Sequence, residues 1–430
     1  MKLNTKLTVL IGLSFMSILC FWQFYDQVIP FLLEDKFGLS TFKANAIMSV
    51  DNILAVFMLP LFGAISDKTN TRIGKRTPYI LYGTLASVIL LVTLGIFQEK
   101  NNFWGFMAVL FMLLVVMSVY RSPSVAYMPD VTPKPLRSKA NAIINLVGYI
   151  GGIFATVVMM FMLKSEKNSD GESVYLTDQT FLPVFIVIAG FMLISVLVMV
   201  FSVKENKLSK VLDDEIESKV DSKEKMPKPV VISFILILLS VFLWFMAYNA
   251  VTTAFSRYCA NVWNTDLGTS SSYLLVATIS AIIAFVPLGF LSSALGRKKT
   301  VLFGIVLMTV CYTCAIFIRQ QTPIMYLIFA FVGIGWAAIN VNSFPMIVEM
   351  SAGSNVGKYT GYYYAFSMSA QIVTPLLSGL FIDNFGLGYK ILFPYAVVFS
   401  ALSFITMSFV KHGDSKPVKK ELLENFDFED

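Results

Sequence analysis

Charge is what this chain has least of. Of its 430 residues only 14% are Asp, Glu, Lys or Arg, while 56% are hydrophobic; soluble domains carry about 25% charged residues. So few polar side chains cannot cover a water-facing surface, which excludes a soluble globular protein. Histidine is nearly absent. The single one, His412, sits in the polar tail, which excludes His-based catalysis and His-rich metal sites. The four cysteines, Cys20, Cys259, Cys311 and Cys314, all lie in apolar sequence and offer no disulfide framework. Cys311 and Cys314 have CxxC spacing but no further ligands nearby, so redox chemistry is not expected there. No GxxxxGK[ST] phosphate loop occurs, so nucleotide does not drive the chain, and neither cofactor nor metal is expected. A net charge of +6 would suit nucleic acid, but the basic residues are scattered through short loops and form no patch.

Long apolar runs are what remains. A helix needs about 20 apolar residues to cross a bilayer core. Charge-free stretches near or above that length run over 77–98, 101–120, 140–163, 179–203, 229–256, 267–296, 300–318, 320–348, 359–382 and 391–410. Two more, 7–33 and 44–66, qualify with one aspartate inside each. Such runs exclude an outer-membrane barrel, whose strands alternate and are short. The expectation is an all-α integral membrane protein of twelve transmembrane helices, surrounded by lipid. The first span is too long, and interrupted by Asp26, to read as a cleaved signal peptide. Most Lys and Arg fall in the loops on the side of both termini, so both termini are expected in the cytoplasm and the protein in the plasma membrane. The one long hydrophilic segment divides the chain into a six-helix bundle over 1–203, a cytoplasmic linker over 204–229, a second bundle over 230–411 and a tail over 412–430.

The two halves are related. Gly63-Ala64-Ile65-Ser66 followed by Gly74-Lys75-Arg76 has a counterpart in Gly289-Phe290-Leu291-Ser292 followed by Gly296-Arg297. Tyr25-Asp26 corresponds to Tyr248-Asn249, and Pro123 to Pro345, at nearly one spacing. Two halves of the same orientation imply a pseudo-two-fold axis along the membrane normal, with a cavity between them. The first-half loop, from Gly63 through Asp67, Arg72, Gly74, Lys75 and Arg76 to Pro78-Tyr79, resembles the motif between spans two and three of the major facilitator superfamily. With Trp22-Gln23-Phe24-Tyr25-Asp26, Asp51-Asn52, Arg121-Ser122-Pro123, Asp130, Arg137, Asn340-Val341-Asn342 and Gly357-Lys358, the chain is similar to the sugar–cation symporter branch: the glycoside–pentoside–hexuronide group and sucrose-transporter-like bacterial members. That resemblance implies uptake of a small sugar or glycoside, such as sucrose or maltose, with a proton by alternating access, most simply as a monomer. Two departures stand out. Ala55 and Leu59 occupy positions where sodium-coupled members carry an acidic pair, and Ser293 stands where the second loop copy would carry an aspartate. A sodium-coupled sugar symporter and an efflux carrier working by proton antiport remain the alternatives.

Only Asp26, Asp51 and Arg121 put charge inside the spans. Each costs about 2.5–3.5 kcal/mol near a helix centre on insertion scales, so such residues are functional by default. By helical rise Asp26 and Asp51 lie at similar depth, with Arg121 within side-chain reach. They are the proton-coupling candidates, with Asp26 first. A sugar site needs amides and aromatics for hydroxyls and ring faces. The candidates are Trp22, Gln23, Tyr25, Asn52, Asn145, Tyr248, Asn249, Trp336, Asn340, Asn342, Tyr363 and Gln371. A cytoplasmic gate is expected from Gly63, Asp67, Arg72, Gly74, Lys75 and Arg76, with Asp67 pairing to one of the three cations. Further gate pairs are expected between Asp130 and Arg137 and between Glu349 and Lys358. The competing reading of the amides, that they only join neighbouring helices, is open for each.

Overall fold

In the computed structural model, residues 3–167, 173–176, 179–206, 227–263, 265, 267–350, 356–384 and 388–414 are described. Apolar helices dominate, because a backbone surrounded by lipid must satisfy its hydrogen bonds within the segment. The spans are α1 (Thr5–Phe31), α2 with α3 (Thr41–Met48, Val50–Lys68), α4 (Thr77–Glu99), α5 (Phe103–Asp130), α6 (Arg137–Met162), α7 (Leu182–Ser202), α8 (Lys228–Tyr258), α9 (Leu267–Leu295), α10 (Arg297–Ile316), α11 (Ile324–Glu349), α12 (Val356–Gly379) and α13 (Leu392–Ser408). Twelve spans among the described residues are long and apolar enough to cross a membrane. One element falls outside the all-α expectation. Between α6 and α7, β1 (Ser165–Lys167) pairs antiparallel with β2 (Ser173–Tyr175), Ser165 opposite Tyr175.

Local chemistry sets the ends. Asn4 and Asn102 accept the Leu7 and Gly105 N–H groups and cap α1 and α5. Pro78 and Pro229 sit in the first turns of α4 and α8, where a missing N–H costs nothing. α1, α8 and α12 each run on into a π-helical turn, at Leu32–Lys36, Cys259–Trp263 and Leu380–Asn384. All three turns lie at the face opposite the one where α1 begins and α13 ends. The outer surface carries large apolar side chains such as Phe57, Trp104, Phe161, Phe201 and Ile283, as a lipid-facing surface requires.

α1 and α3–α7 pack among themselves, as do α8–α13. Across the middle the main contacts are α3 with α12 and α6 with α9. These are the second span against the eleventh and the fifth against the eighth, pairs that exchange when the halves exchange, as the pseudo-two-fold requires. α3 and α12 approach so closely that a Cβ on Gly63 would run into the backbone carbonyl of Gly357. The linker expected over 204–229 is described only at Lys204–Asn206 and Pro227–Pro229; the rest of it, and the tail beyond Asp414, lie outside the described residues.

Candidate functional site

Between the halves lies a cavity of about 690 Å³. Its floor holds Trp22 and Asp26 of α1, Asp51 and Asn52 of α3, and Arg121 of α5. Thr253 and Arg257 of α8, and Met368, Gln371, Pro375 and Ser378 of α12, form the facing wall. Tyr389 and Ile382 reach it from the face opposite the termini. The three charges read as functional from the sequence therefore line one space. Arg121 lies between two aromatic faces, with its guanidinium carbon 5.3 Å from the Trp22 ring centre and 5.2 Å from that of Tyr364. Among the described residues, the Trp22 indole N–H, Asp51 Oδ1, Asn52 Oδ1 and Arg121 Nε are buried with no hydrogen-bond partner. A buried polar group left so is costly, and these four belong to residues that line the cavity.

Of the sugar-site candidates, Trp22, Asn52 and Gln371 line this cavity. Gln23, Tyr25, Asn145, Tyr248, Asn249, Trp336, Asn340, Asn342 and Tyr363 do not. The amides among the latter largely serve their own helices. Asn145 donates to the Asn141 carbonyl, Asn340 to Trp336 and Asn342 to Ala338, all one turn back. Tyr363 is buried against the Ser343 hydroxyl at 3.1 Å. Trp336 stacks on Tyr248, centroids 3.8 Å apart, beside a smaller pocket of about 230 Å³. Asn141 instead joins the two halves: its amide donates to the Asn340 and Val341 carbonyls, both at 3.0 Å, and ties α6 to α11. Sequence reasoning missed Arg257 and Tyr389. The reason is a boundary: the charge-free run stops at Ser256, but α8 continues to Tyr258 and brings Arg257 to the cavity mouth.

The gate residues assemble at the terminus face. Arg76 is fully buried, bonds Asp67 and Ser66, and reaches Asp130 at 2.7 Å. Burial works against its charge, but Asp130 and Asp67 outweigh that and hold its pKa above the ordinary arginine value. Lys75 also meets Asp130, at 3.2 Å. Asp67 accepts the Gly357 and Lys358 N–H groups, both at 2.8 Å, and so clasps the positive N-terminal end of α12. Gly74, at φ 125°, leaves room for Glu205, which accepts from the backbone of Lys75, Arg76 and Thr77 and from the Thr77 hydroxyl. Arg72 is exposed and makes no bond to Asp67; among the described residues only its carbonyl is used, by Asn206.

Two expected pairs are corrected. Asp130 does not meet Arg137, nor Glu349 Lys358. The Lys134–Leu136 turn separates α5 from α6, so Arg137 donates to the Pro129 and Thr132 carbonyls and points across to Glu349 at 3.6 Å. Glu349 is held mainly by Arg297 at 2.9 Å, while the Lys358 ammonium stands over the Tyr362 ring.

The family match decides what this arrangement is. Residues 10–410 match the family described as MFS/sugar transport protein. The chain belongs to that family. It is a multi-pass membrane transporter, not an enzyme. An uncharacterised symporter of Bacillus subtilis (strain 168), YnaJ, is 22% identical over 384 residues, 83% of this chain and 78% of that one. The isoprimeverose transporter of Lactiplantibacillus pentosus is 23% identical over 292 residues, 64% of this chain and 57% of that one. In fold the chain is similar to the major facilitator transporter FucP in its outward conformation, TM-score 0.73 at 15% identity, covering 95% of this chain and 99% of that one. It is similar also to the proton:xylose symporter XylE, TM-score 0.70 at 14% identity, covering 95% of each.

Proposed function

We propose that this transporter imports a small sugar or glycoside together with a proton. Its two six-helix bundles (1–203 and 230–411, joined by the linker over 204–229) alternate access, and both termini and the 412–430 tail lie in the cytoplasm of a plasma-membrane protein working as a monomer. The observation that carries the reading is the single cavity in which Asp26, Asp51 and Arg121 stand beside Trp22, Asn52 and Gln371. A carboxyl that binds a proton from one side and sheds it to the other couples the ion gradient to substrate binding. The neighbouring amides and the indole supply the hydrogen bonds and apolar face that a sugar needs. With the termini inside, the cavity lining runs to the outer ends of α3, α8 and α12, and the Arg76 network closes the inner side: an outward-facing state. Sodium is disfavoured by what replaces the acidic pair. Ala55 and Leu59 are buried against Met368 in an apolar cluster.

Asp26 is the proton carrier in this reading and Asp51 its neighbour. Asp26→Asn mimics a permanently protonated carrier. It should still exchange labelled for unlabelled sugar across the membrane, which needs no net proton movement, and should fail to accumulate sugar. The measurement is uptake of sucrose, maltose, lactose and isoprimeverose into proteoliposomes under separately imposed proton and sodium gradients. Accumulation by Asp26→Asn would move the proton site to Asp51; accumulation driven by sodium alone would overturn the proton reading.

A further inference from the structure

The smaller pocket of about 230 Å³ lies within the second bundle and shares no lining residue with the cavity between the halves. α8 borders both. Tyr248, Val251 and Thr252 line the pocket, whereas Thr253, Ala254 and Arg257 line the cavity. At about 3.6 residues per turn the two sets point roughly half a turn apart, so the pocket lies behind the cavity wall. α8 packs mainly on α12 and α13 and only lightly on α9 and α11. The pocket occupies the space that this light packing leaves, with Tyr312 of α10 completing its wall.

The lining decides what fits. Val251, Leu274, Ala277, Phe329 and Val332 make it largely apolar, and among the described residues no amide or charged side chain lines it. A sugar there would leave most of its hydroxyls unpaired, at a cost for each. Thr252 and Thr278 already donate within their own helices, to the Tyr248 carbonyl at 3.2 Å and the Leu274 carbonyl at 3.0 Å. Tyr312 is different. It is 1% exposed and lines the pocket, and among the described residues its hydroxyl has no hydrogen-bond partner. A buried tyrosine usually finds one, as Tyr273 does in the Thr322 carbonyl and Tyr363 in the Ser343 hydroxyl.

Size and access narrow the occupant further. An apolar cavity of roughly 150 Å³ holds benzene, so this one has room for an aromatic ring with a small substituent. Tyr248 is stacked on Trp336 with the planes 5° apart, which fixes its ring before a ligand arrives. On the α9 side Thr278 is exposed, and so are the large apolar side chains of Leu275 and Ile279 beside it. The pocket therefore opens at an apolar outer surface, where an uncharged molecule dissolved in the bilayer can enter.

We infer that this pocket is a second ligand site, for a small uncharged aromatic molecule carrying one hydroxyl, which Tyr312 bonds. Its occupant braces α8 from behind against α9 and α11. It thereby slows the closure that carries α8 toward α1 and α3, without entering the sugar cavity. The bracing step rests on the alternating-access reading above; the binding step does not.

Phenol is the probe, and the intact protein in detergent is the sample. Saturation-transfer NMR should show saturable binding to the wild type and none to Ala277→Leu, whose longer side chain fills the pocket. The ratio of phenol to toluene affinity, in which partition into detergent cancels between variants, should fall about fivefold in Tyr312→Phe, the scale of one lost hydrogen bond. Absence of saturable binding to the wild type overturns the site, as does unchanged binding to Ala277→Leu. An unchanged ratio in Tyr312→Phe overturns the role of its hydroxyl. In proteoliposomes given sucrose, maltose, lactose and isoprimeverose in turn, phenol should slow sugar exchange by the wild type at unchanged sugar affinity, and should not slow exchange by Ala277→Leu. Equal slowing of both, or competition with sugar, overturns the bracing. Exchange of none of the four sugars overturns the sugar reading, and the NMR result decides the site independently of it.

Discussion

The loop between α3 and α4 and the loop between α9 and α10 are copies of one motif that hold the halves together in different ways. Each places a positive-φ glycine, Gly74 or Gly296, ahead of a buried arginine, Arg76 or Arg297. Each arginine meets an acid at the end of a neighbouring span, Asp130 or Glu349. An acid arriving from the end of the bundle, Glu205 or Asp414, accepts the backbone N–H of Arg76 or Arg297. The copies part at one position. Asp67 crosses to the first turn of α12, whereas among the described residues Ser293 bonds only the Gly289 carbonyl of its own helix. Among the described residues, a carboxylate clasping a helix N-terminus therefore closes the α3–α12 joint and has no counterpart at Ser293. The other half is tied across by the Arg137–Glu349 pair, the Arg297 bond to the Lys134 carbonyl and the Asn141 amide. If both joints must part for the cavity to open inward, the carboxylate latch is the one whose strength a single charge sets.

The largest expected effect separates the arginines. Arg76→Ala leaves Asp67 and Asp130, whose side chains are 2% and 3% exposed, without their main cation. Breaking a buried pair in this way costs about 3–5 kcal/mol. Arg297→Ala strands only Glu349, at 13% exposure and still within 3.6 Å of Arg137, so it should cost less than half as much. Thermal unfolding in detergent measures both. Equal losses would mean that the copies are energetically equivalent in spite of Ser293.

Asp67→Asn should act on gating more than on stability. An amide keeps one acceptor for the α12 N-terminus but loses the charge that favours it there, an effect of about 1–2 kcal/mol in a partly buried setting. The conformational balance should shift inward by that amount, with transport slowed and sugar affinity nearly unchanged, since Asp67 lies outside the cavity. Cysteine probes placed on the terminus face report the shift. Unchanged accessibility with unchanged transport would remove the latch from the mechanism.

How far the sequence reveals the molecule differs between the helices and the site. The spans are legible because lipid forces each to be long, apolar and internally bonded, and the copied loops expose the two-fold. Asp26, Asp51 and Arg121 are legible because charge inside a span is rare. The gate partners are only partly so. That Asp67 meets a cation of its own short loop is legible, but which of the three is not, and Asp130 to Arg76 and Arg137 to Glu349 depend on how the Lys134–Leu136 turn aims two helix ends, which no spacing reveals. Nor can the sequence sort amides facing the cavity from those bonded one turn back. Asn340 and Asn342 bond their own helix while Gln371 faces the cavity, and rotation about the helix axis is set by packing. Glu205 is hidden at the edge of a charged segment that reads as linker.

The smallest expected effect comes from restoring the symmetry. Gly63 touches the second residue of α12, Gly357, and Gly289 approaches the second residue of α6, Ser138. Asp67 lies one turn beyond Gly63 and finds the N–H groups of the second and third residues of α12. Ser293 lies one turn beyond Gly289, and the same operation would bring a longer side chain there toward the N–H groups of Ser138 and Lys139. In Ser293→Asp, the new carboxylate should clasp that helix end and stabilise the closed terminus face by roughly 0.5–1 kcal/mol, the scale of an anion at a helix N-terminus. Transport should slow by a few fold at unchanged sugar affinity, and the variant should unfold at slightly higher temperature. Combining it with Asp67→Asn should restore part of the outward bias that Asp67→Asn removes, because either latch opposes the same opening. A Ser293→Asp variant that transports and unfolds like the wild type would show that the second joint cannot be latched by charge, and that the copies diverge in backbone geometry as well as in this one side chain.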